Sequence, residues 1–222
     1  MIEPLNGLGA LYFQTRQYAK AESLTRRCLA LEEESVPRND PEVARQMGNL
    51  AAVYLEVGKY GEAEELYRRA LHIFESNGSP GTPEMAFTLN NLGSLQVRAG
   101  KPREAVAYVE RAVAIWESAL GAQHPVYAQG LGNLAYVYSV LGRPEAETLW
   151  RRALQIVENA LGAQHPTHGI LLNAYADSLE RFRRKVEAKR VRRRSQAILA
   201  AHRSAESLAV AYVVDFRELS RR

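Results

Sequence analysis

The chain has little cysteine: Cys28 stands alone in 222 residues, so no internal disulfide can form and a small stapled secreted domain is excluded. Nine prolines and 15 glycines are too few for collagen or a low-complexity linker, and 46% apolar residues are too many for a disordered chain. No apolar run approaches the roughly 20 residues of a membrane-spanning helix. The opening stretch MIEPLNGLGA lacks a basic segment followed by an apolar core, so no secretory signal is visible. A cytoplasmic protein without a membrane span is expected.

Charge is unevenly placed. Residues 1–180 carry 16 Lys/Arg against 21 Asp/Glu, whereas residues 181–222 carry 13 against 4. The sequence pI of about 9.2 therefore belongs to the last fifth of the chain, and an acidic partner would have to be met there.

What the sequence does contain is itself, repeated. LGAQHP occurs at Leu120–Pro125 and again at Leu161–Pro166, and the run Gly48–Leu71 returns at Asn90–Val113 and at Gly132–Leu154. Prolines 41, 83, 125 and 166 are spaced 42, 42 and 41 residues apart, while Gly58, Gly100 and Gly142 hold 42, which places a one-residue deletion just after Gly142. In that register small residues recur at Gly9, Ala51, Gly93, Ala135 and Ala176, at Ala21, Ala63, Ala105, Ala146 and Ala188, and at Cys28, Ala70, Ala112, Ala153 and Ser195. Such self-similarity is the signature of a repeat architecture.

Each unit reads as two helices. A proline suits the first turn of the first helix, where a missing N–H costs nothing, with Asp40 and Thr82 as N-caps. Leu50, Val53, Tyr54 and Val57 follow helical spacing, and Gly58 stops that helix. A second helix is expected over Tyr60–Ser76 with Ala63, Leu66, Tyr67, Ala70, Leu71 and Phe74 on its buried side. Neither helix can bury its face alone, so the units must stack.

Leu50, Ala51, Tyr54, Ala63, Tyr67 and Ala70 resemble the pattern of the tetratricopeptide repeat. The 42-residue period and the Leu-Gly-x-x-His-Pro connection resemble its kinesin light chain type, although many proteins of other roles share this subtype. The resemblance implies an all-α solenoid, a right-handed superhelix of five helix-turn-helix units plus a C-terminal segment. Residues 1–199 form the solenoid, with repeats at about 1–40, 41–82, 83–124, 125–165 and 166–199, and residues 200–222 form a capping or docking segment. Gly7 and Arg16 in the first unit, and Ala174 and Arg183 in the last, depart from the pattern.

Catalysis has no visible basis. Cys28 occupies a column that elsewhere holds alanine or serine. His124 and His165 precede prolines at helix starts, a whole repeat apart, and are expected to serve turn and cap geometry instead of a metal, which needs three or four convergent ligands. Gly130-Leu131-Gly132-Asn133-Leu134-Ala135 matches a loose dinucleotide fingerprint but falls inside a helix, where that motif has no meaning. Arg26-Arg27, Arg68-Arg69 and Arg151-Arg152 suit solvated faces with i,i+4 glutamates. No enzyme, cofactor or metal is expected.

One polar series stands out. Asn49, Asn91 and Asn133 share a column of the first helix, beside Asn6, Asn90 and Asn173 one column earlier. Asparagine is a mediocre mid-helix residue. In the tetratricopeptide family the first helix lines the concave surface, and this column resembles the one that grips extended peptides. An amide can donate and accept, so a ladder of amides could satisfy a peptide backbone; it could equally bond between neighbouring units and fix the stack. Arg45, Glu56, Arg98 and Gln129 fall on the same face by spacing. That face lacks the concentrated Lys/Arg set with which some relatives clamp a C-terminal carboxylate.

The expected function is therefore a scaffold that binds an extended or helical partner peptide in a concave groove, as a monomer or weak homodimer. A rival is a structural adaptor that assembles through its ends or convex face. Another is a nucleic-acid or anionic-surface binder using RFRRKVEAKRVRRR at 181–194, through Arg183, Arg184, Lys185, Lys189, Arg190, Arg192, Arg193 and Arg194, although nucleic acid is the less favoured partner. Val186, Val191 and Ile198 are expected to keep repeat periodicity through that run, which makes it structured first and basic second. The first helix is expected to be shorter than the others by a turn or less, as it would be if further repeats lay upstream. Residues 204–219 are expected to cover the last repeat, as a helix or an extended strand.

Overall fold

The computed structural model describes residues 2–77 and 81–203. All of their regular structure is α-helical: α1 (Ile2–Gln14), α2 (Tyr18–Ser35), α3 (Pro41–Glu56), α4 (Tyr60–Ser76), α5 (Pro83–Arg98), α6 (Pro102–Leu120), α7 (Pro125–Val140), α8 (Ala146–Leu161), α9 (Pro166–Arg181) and α10 (Lys185–Arg203). The chain forms two compact units, Met1–Leu95 and Gln96–Arg222. In the first, α1 packs on α2, α2 on α3 and α3 on α4; in the second, α6 packs on α7, α7 on α8, α9 on α10, and α9 also on α7 and α8.

Four of the odd-numbered helices begin at the spaced prolines, and the residue before each supplies the cap. Asp40 accepts a bond from the Glu42 N–H at 2.8 Å, and the Thr82 hydroxyl accepts one from Met85 at 3.3 Å. His124 Nδ1 accepts from Val126 at 3.1 Å and His165 Nδ1 from Thr167 at 3.2 Å. The repeated histidines thus satisfy orphan helix N–H groups, the cap role the spacing implied.

The turn inside each unit has one geometry five times over. Gly58, Gly100 and Gly142 take φ of 80°, 76° and 70°, and the residue after each returns its N–H to a carbonyl five residues back. Arg16 and Arg183 occupy that column in the end repeats and adopt φ of 58° and 61° with the same hydrogen bonds. Losing the glycine leaves the turn in place, because helix packing on both sides imposes it, at a local cost of about 1 kcal/mol.

The alanine column at 21, 63, 105, 146 and 188 is fully buried, as are Cys28, Ala70, Ala112, Ala153 and Ser195. A small side chain there lets two helices approach closely; Ser195 fits by donating its hydroxyl to the Gly169 carbonyl at 2.7 Å. In unit two a buried polar seam runs through this packing: Trp150 Nε1 donates to Ser178 Oγ at 2.9 Å, Ser178 to Ser139 at 3.0 Å, and Ser139 to the Tyr136 carbonyl at 2.7 Å.

Val186 keeps the repeat register and is 86% exposed, since it lies in the first turn of α10 on the same column as the exposed Ala19, Gly61, Arg103 and Pro144. The helix α10 continues to Arg203, beyond residue 199. Residues 204–219, assigned to a cap, lie outside the described residues. α1, at 13 residues, is shorter than the 16 of α3, α5, α7 and α9.

Candidate peptide-binding face

The amide columns lie on the odd-numbered helices, and burial sorts them. In the first unit Asn49 and Asn91 are half-buried, with one face of the amide in reach of solvent. Asn49 Nδ2 donates to Gln46 Oε1 at 3.4 Å, and the buried Gln46 amide donates in turn to Glu32 Oε2 at 3.3 Å. Asn90 is 1% exposed and belongs to the core. Asn6 is half-buried, and its Oδ1 has no hydrogen-bond partner among the described residues. In the second unit Gln129, Asn133 and Asn173 are half-buried. The split follows helix geometry: adjacent columns lie 100° apart, so one amide of the pair 90/91 turns into the packing while the other faces outward.

The charged members of the face are mixed in sign. Arg45 forms an ion pair with Glu42, one turn earlier on α3, and stays half-buried along with Glu56 and Arg98.

The basic run behaves differently from a uniform patch. Arg184 pairs with both Glu147 and Glu187; those bonds, Glu187 first, hold its guanidinium well above its ordinary range. Burial pushes the Glu147 carboxyl up, but bonds from Arg184, Tyr175 and Arg151 outweigh it and leave the group lowered. Arg192 pairs with Asp177 and, at 2.7 Å, with Glu180; Arg194 lies 3.7 Å from Glu158. These three arginines tie α10 to α8 and α9. Arg183 is held in the turn, while Lys185, Lys189, Arg190 and Arg193 are exposed.

Sequence reading passed over the tyrosine–glutamate ties between consecutive helices. Tyr127 donates to Glu117 at 2.8 Å, Tyr138 to Glu110 at 2.6 Å and Tyr175 to Glu147 at 2.9 Å. Burial and the Glu117 bond push the Tyr127 phenol up to about 12. Two of these pairs span 28 residues and the third spans 10, and the three tyrosines occupy different columns of the repeat, so no single column announces them. Cys28 is buried, and that burial, with Glu32 nearby, pushes its thiol up, away from nucleophilic reactivity. Gly130 and Gly132 of the dinucleotide-like stretch sit inside α7, against Trp116 and Trp150. Among the described residues no three His, Cys, Asp or Glu side chains converge as a metal would require. No helix among them is long and apolar enough to cross a membrane.

The family model for the tetratricopeptide repeat matches residues 1–76, 84–145 and 128–201, most of the chain. The chain belongs to the tetratricopeptide repeat family. No curated protein matches it at a significant level. Solved structures show the same fold. Nearly identical repeats ascribed to a kinesin light chain of Podosopora anserina are 23% identical, superpose with a TM-score of 0.72, and cover 92% of this chain and 97% of theirs. BtubC (BKLC) from P. vanneervenii is 23% identical, with a TM-score of 0.74 over 96% of this chain and 87% of its own. A Rap protein complexed with competence and sporulation factor is 18% identical, with a TM-score of 0.68 over 88% of this chain and 54% of its own. The family's repeats form scaffolds for protein–protein interaction, and this chain is built on that plan.

Proposed function

We propose that the protein is a non-enzymatic, cytoplasmic scaffold in which each unit holds partner peptide along its odd-numbered helices, through Asn49 and Asn91 in the first unit and through Asn133 and Asn173 in the second. The observation that carries this reading is the half-exposure of Asn49, Asn91 and Asn133, mid-helix amides at one column spaced 42 residues apart, with Arg45 and Glu56 flanking Asn49 on α3, Arg98 following Asn91 on α5 and Gln129 preceding Asn133 on α7; Asn173, one column earlier on α9, is half-exposed as well. A buried amide such as that of Asn90 is out of reach of a partner; a half-exposed one mid-helix is within reach and has less local reason to be there, because asparagine favours caps and turns over helix interiors. Amides presented to solvent can donate to and accept from an extended backbone without a charge preference, which suits a face of mixed sign. The similar Rap structure, solved with a factor bound, supports the use of this fold as a holder of a second molecule.

The test is selection of peptides from a displayed library by the wild-type protein, followed by titration of the selected peptides against the Asn49/Asn91/Asn133→Ala variant. Loss of about tenfold or more in affinity with an unchanged melting curve is expected, at about 1 kcal/mol or less per amide. Unchanged affinity with a lowered melting temperature would assign the amides to the stack instead.

A further inference from the structure

We propose that the first three turns of α10 form a separate docking surface for an acidic peptide segment that also presents an apolar side chain. Ion pairing divides the basic run into two sets with different work. Arg184, Arg192 and Arg194 face carboxylates of α8, α9 and α10 itself and hold the last helix in place. Lys185, Lys189 and Arg193 are exposed and have no carboxylate within ion-pair distance among the described residues. They recur every four residues, so they form one stripe, with steps of roughly 6 Å along the helix axis.

That stripe is also concave. Lys185, Lys189 and Arg193 line an open cavity of about 550 Å³ together with Glu180, Arg192 and Gln196. Acidic side chains on one face of an extended peptide repeat every second residue, roughly 6.6 Å apart, close to the step of the stripe. Charges left unpaired over a cavity favour an anionic partner, by steering it and by replacing water around it.

Two features select a peptide over nucleic acid. No aromatic side chain lines the cavity, so unpaired bases find no stacking platform, while the Glu180 carboxylate in its wall is held by Arg192 and opposes all anions alike. Beside the stripe stands Val186, 86% exposed, one turn before Lys189 and Arg190 on the same side of α10. A fully exposed branched apolar residue among cations adds nothing to a polyanion but offers contact to an apolar side chain next to the acids.

The experiment uses the full chain and a fluorescent twelve-residue peptide of alternating glutamates with one central leucine, followed by anisotropy at physiological salt. A labelled oligouridylate of the same length runs alongside. The peptide is expected to bind, and Lys185→Glu/Lys189→Glu/Arg193→Glu to weaken it by about tenfold or more, because three attractive pairs become repulsive. Val186→Ser should weaken the leucine peptide by about threefold and leave its leucine-to-serine counterpart unchanged. Asn49/Asn91/Asn133→Ala should leave this peptide's affinity intact, so the two surfaces stand or fall separately. The charge-reversed protein should melt as the wild type does, whereas Arg184→Gln should melt lower; Lys189→Glu alone serves if the triple variant does not fold. Peptide affinity unchanged by charge reversal, oligouridylate bound as tightly as the peptide, or peptide binding gained only after removal of residues 204–222 would each overturn the proposal.

Discussion

Gly48 in the first unit and Gly132 in the second occupy the same column of the repeat, in the middle of α3 and α7, yet they are glycine for different reasons. A Cβ on Gly132 would stand 2.9 Å from Leu171 Cδ2 and 3.1 Å from Trp150 Cζ3. A Cβ on Gly48 would meet only the Thr88 hydroxyl, at an ordinary 3.9 Å. Two residues earlier, Gly130 stands against Trp116 at 2.7 Å, where the first unit has the buried Gln46 and Thr88 on that column. Both tryptophans of the chain are therefore seated on glycines of α7. In the second unit the missing side chain is required by the ring that fills its place; in the first it is slack. A repeat column specifies a position, and the neighbour that happens to face it sets what that position demands.

The sharpest way to break the comparison is Gly132→Ala. The methyl must displace Trp150 or Leu171 in a closely packed interior, which typically costs about 1–3 kcal/mol, more than the helix gains from losing a glycine. A urea midpoint well below wild type is expected, with the second unit's tryptophan fluorescence reporting the shift. A midpoint equal to wild type would mean that the rings yield freely and that the two glycines are alike after all.

How much of this could be read from the sequence follows from the same distinction. Periodicity located Pro41, Pro83, Pro125 and Pro166 at helix starts and the turn column at Gly58, Gly100 and Gly142, because backbone geometry is what a repeat conserves along its own length. It located the small columns Ala63 and Ala70 for the same reason. It did not separate Asn90 from Asn91 by burial, since both are asparagines on adjacent columns. It gave Val186 the repeat register but not its exposure, which that column shares in every repeat. Nor could it fully distinguish Arg184 from Lys185: the Glu187 bond of Arg184 follows an i,i+3 spacing, but its Glu147 bond joins different helices, and no spacing along one helix encodes that. On the candidate face, the residue types were legible and their exposure was not.

The caps provide a second, smaller contrast between the units. Asp40 and Thr82 cap α3 and α5 with oxygen, while His124 and His165 cap α7 and α9 with an imidazole nitrogen that must be unprotonated to accept the bond. Burial, and then the charge of His202, lower the His165 pKa below its ordinary value. Between that lowered value and the ordinary value of about 6.5, the unfolded chain binds a proton that the folded chain refuses. Stability of the second unit therefore rises with pH across that window: the contribution is complete above about 6.5 and is lost as pH falls through the folded value. His165→Asn keeps a capping oxygen and removes the titration, so its melting temperature should fall less than that of wild type between pH 7 and pH 5. His165→Ala should cost about 1 kcal/mol at pH 7. Equal acid sensitivity in wild type and His165→Asn would remove the imidazole cap as the source.

The smallest effect, and the one that tests the slack directly, is Gly48→Ala. Glycine in a helix interior is destabilising by about 0.5–1 kcal/mol relative to alanine, because the unfolded chain gives up more freedom at that position. At Gly132 the same gain exists but is outweighed by the clash. At Gly48 nothing closer than the Thr88 hydroxyl opposes it, so the sign should reverse and the variant should be more stable than wild type. For a chain of this size the rise in melting temperature would be about 1–4 °C. Thr88→Ser tests whether the neighbour matters, since it keeps the hydroxyl that faces Gly48 and removes only a methyl; the gain from Gly48→Ala should survive in that background. A loss of stability in Gly48→Ala would mean that α3 is held closer to its neighbours than the space at Thr88 suggests, and the two glycines would then share one cause.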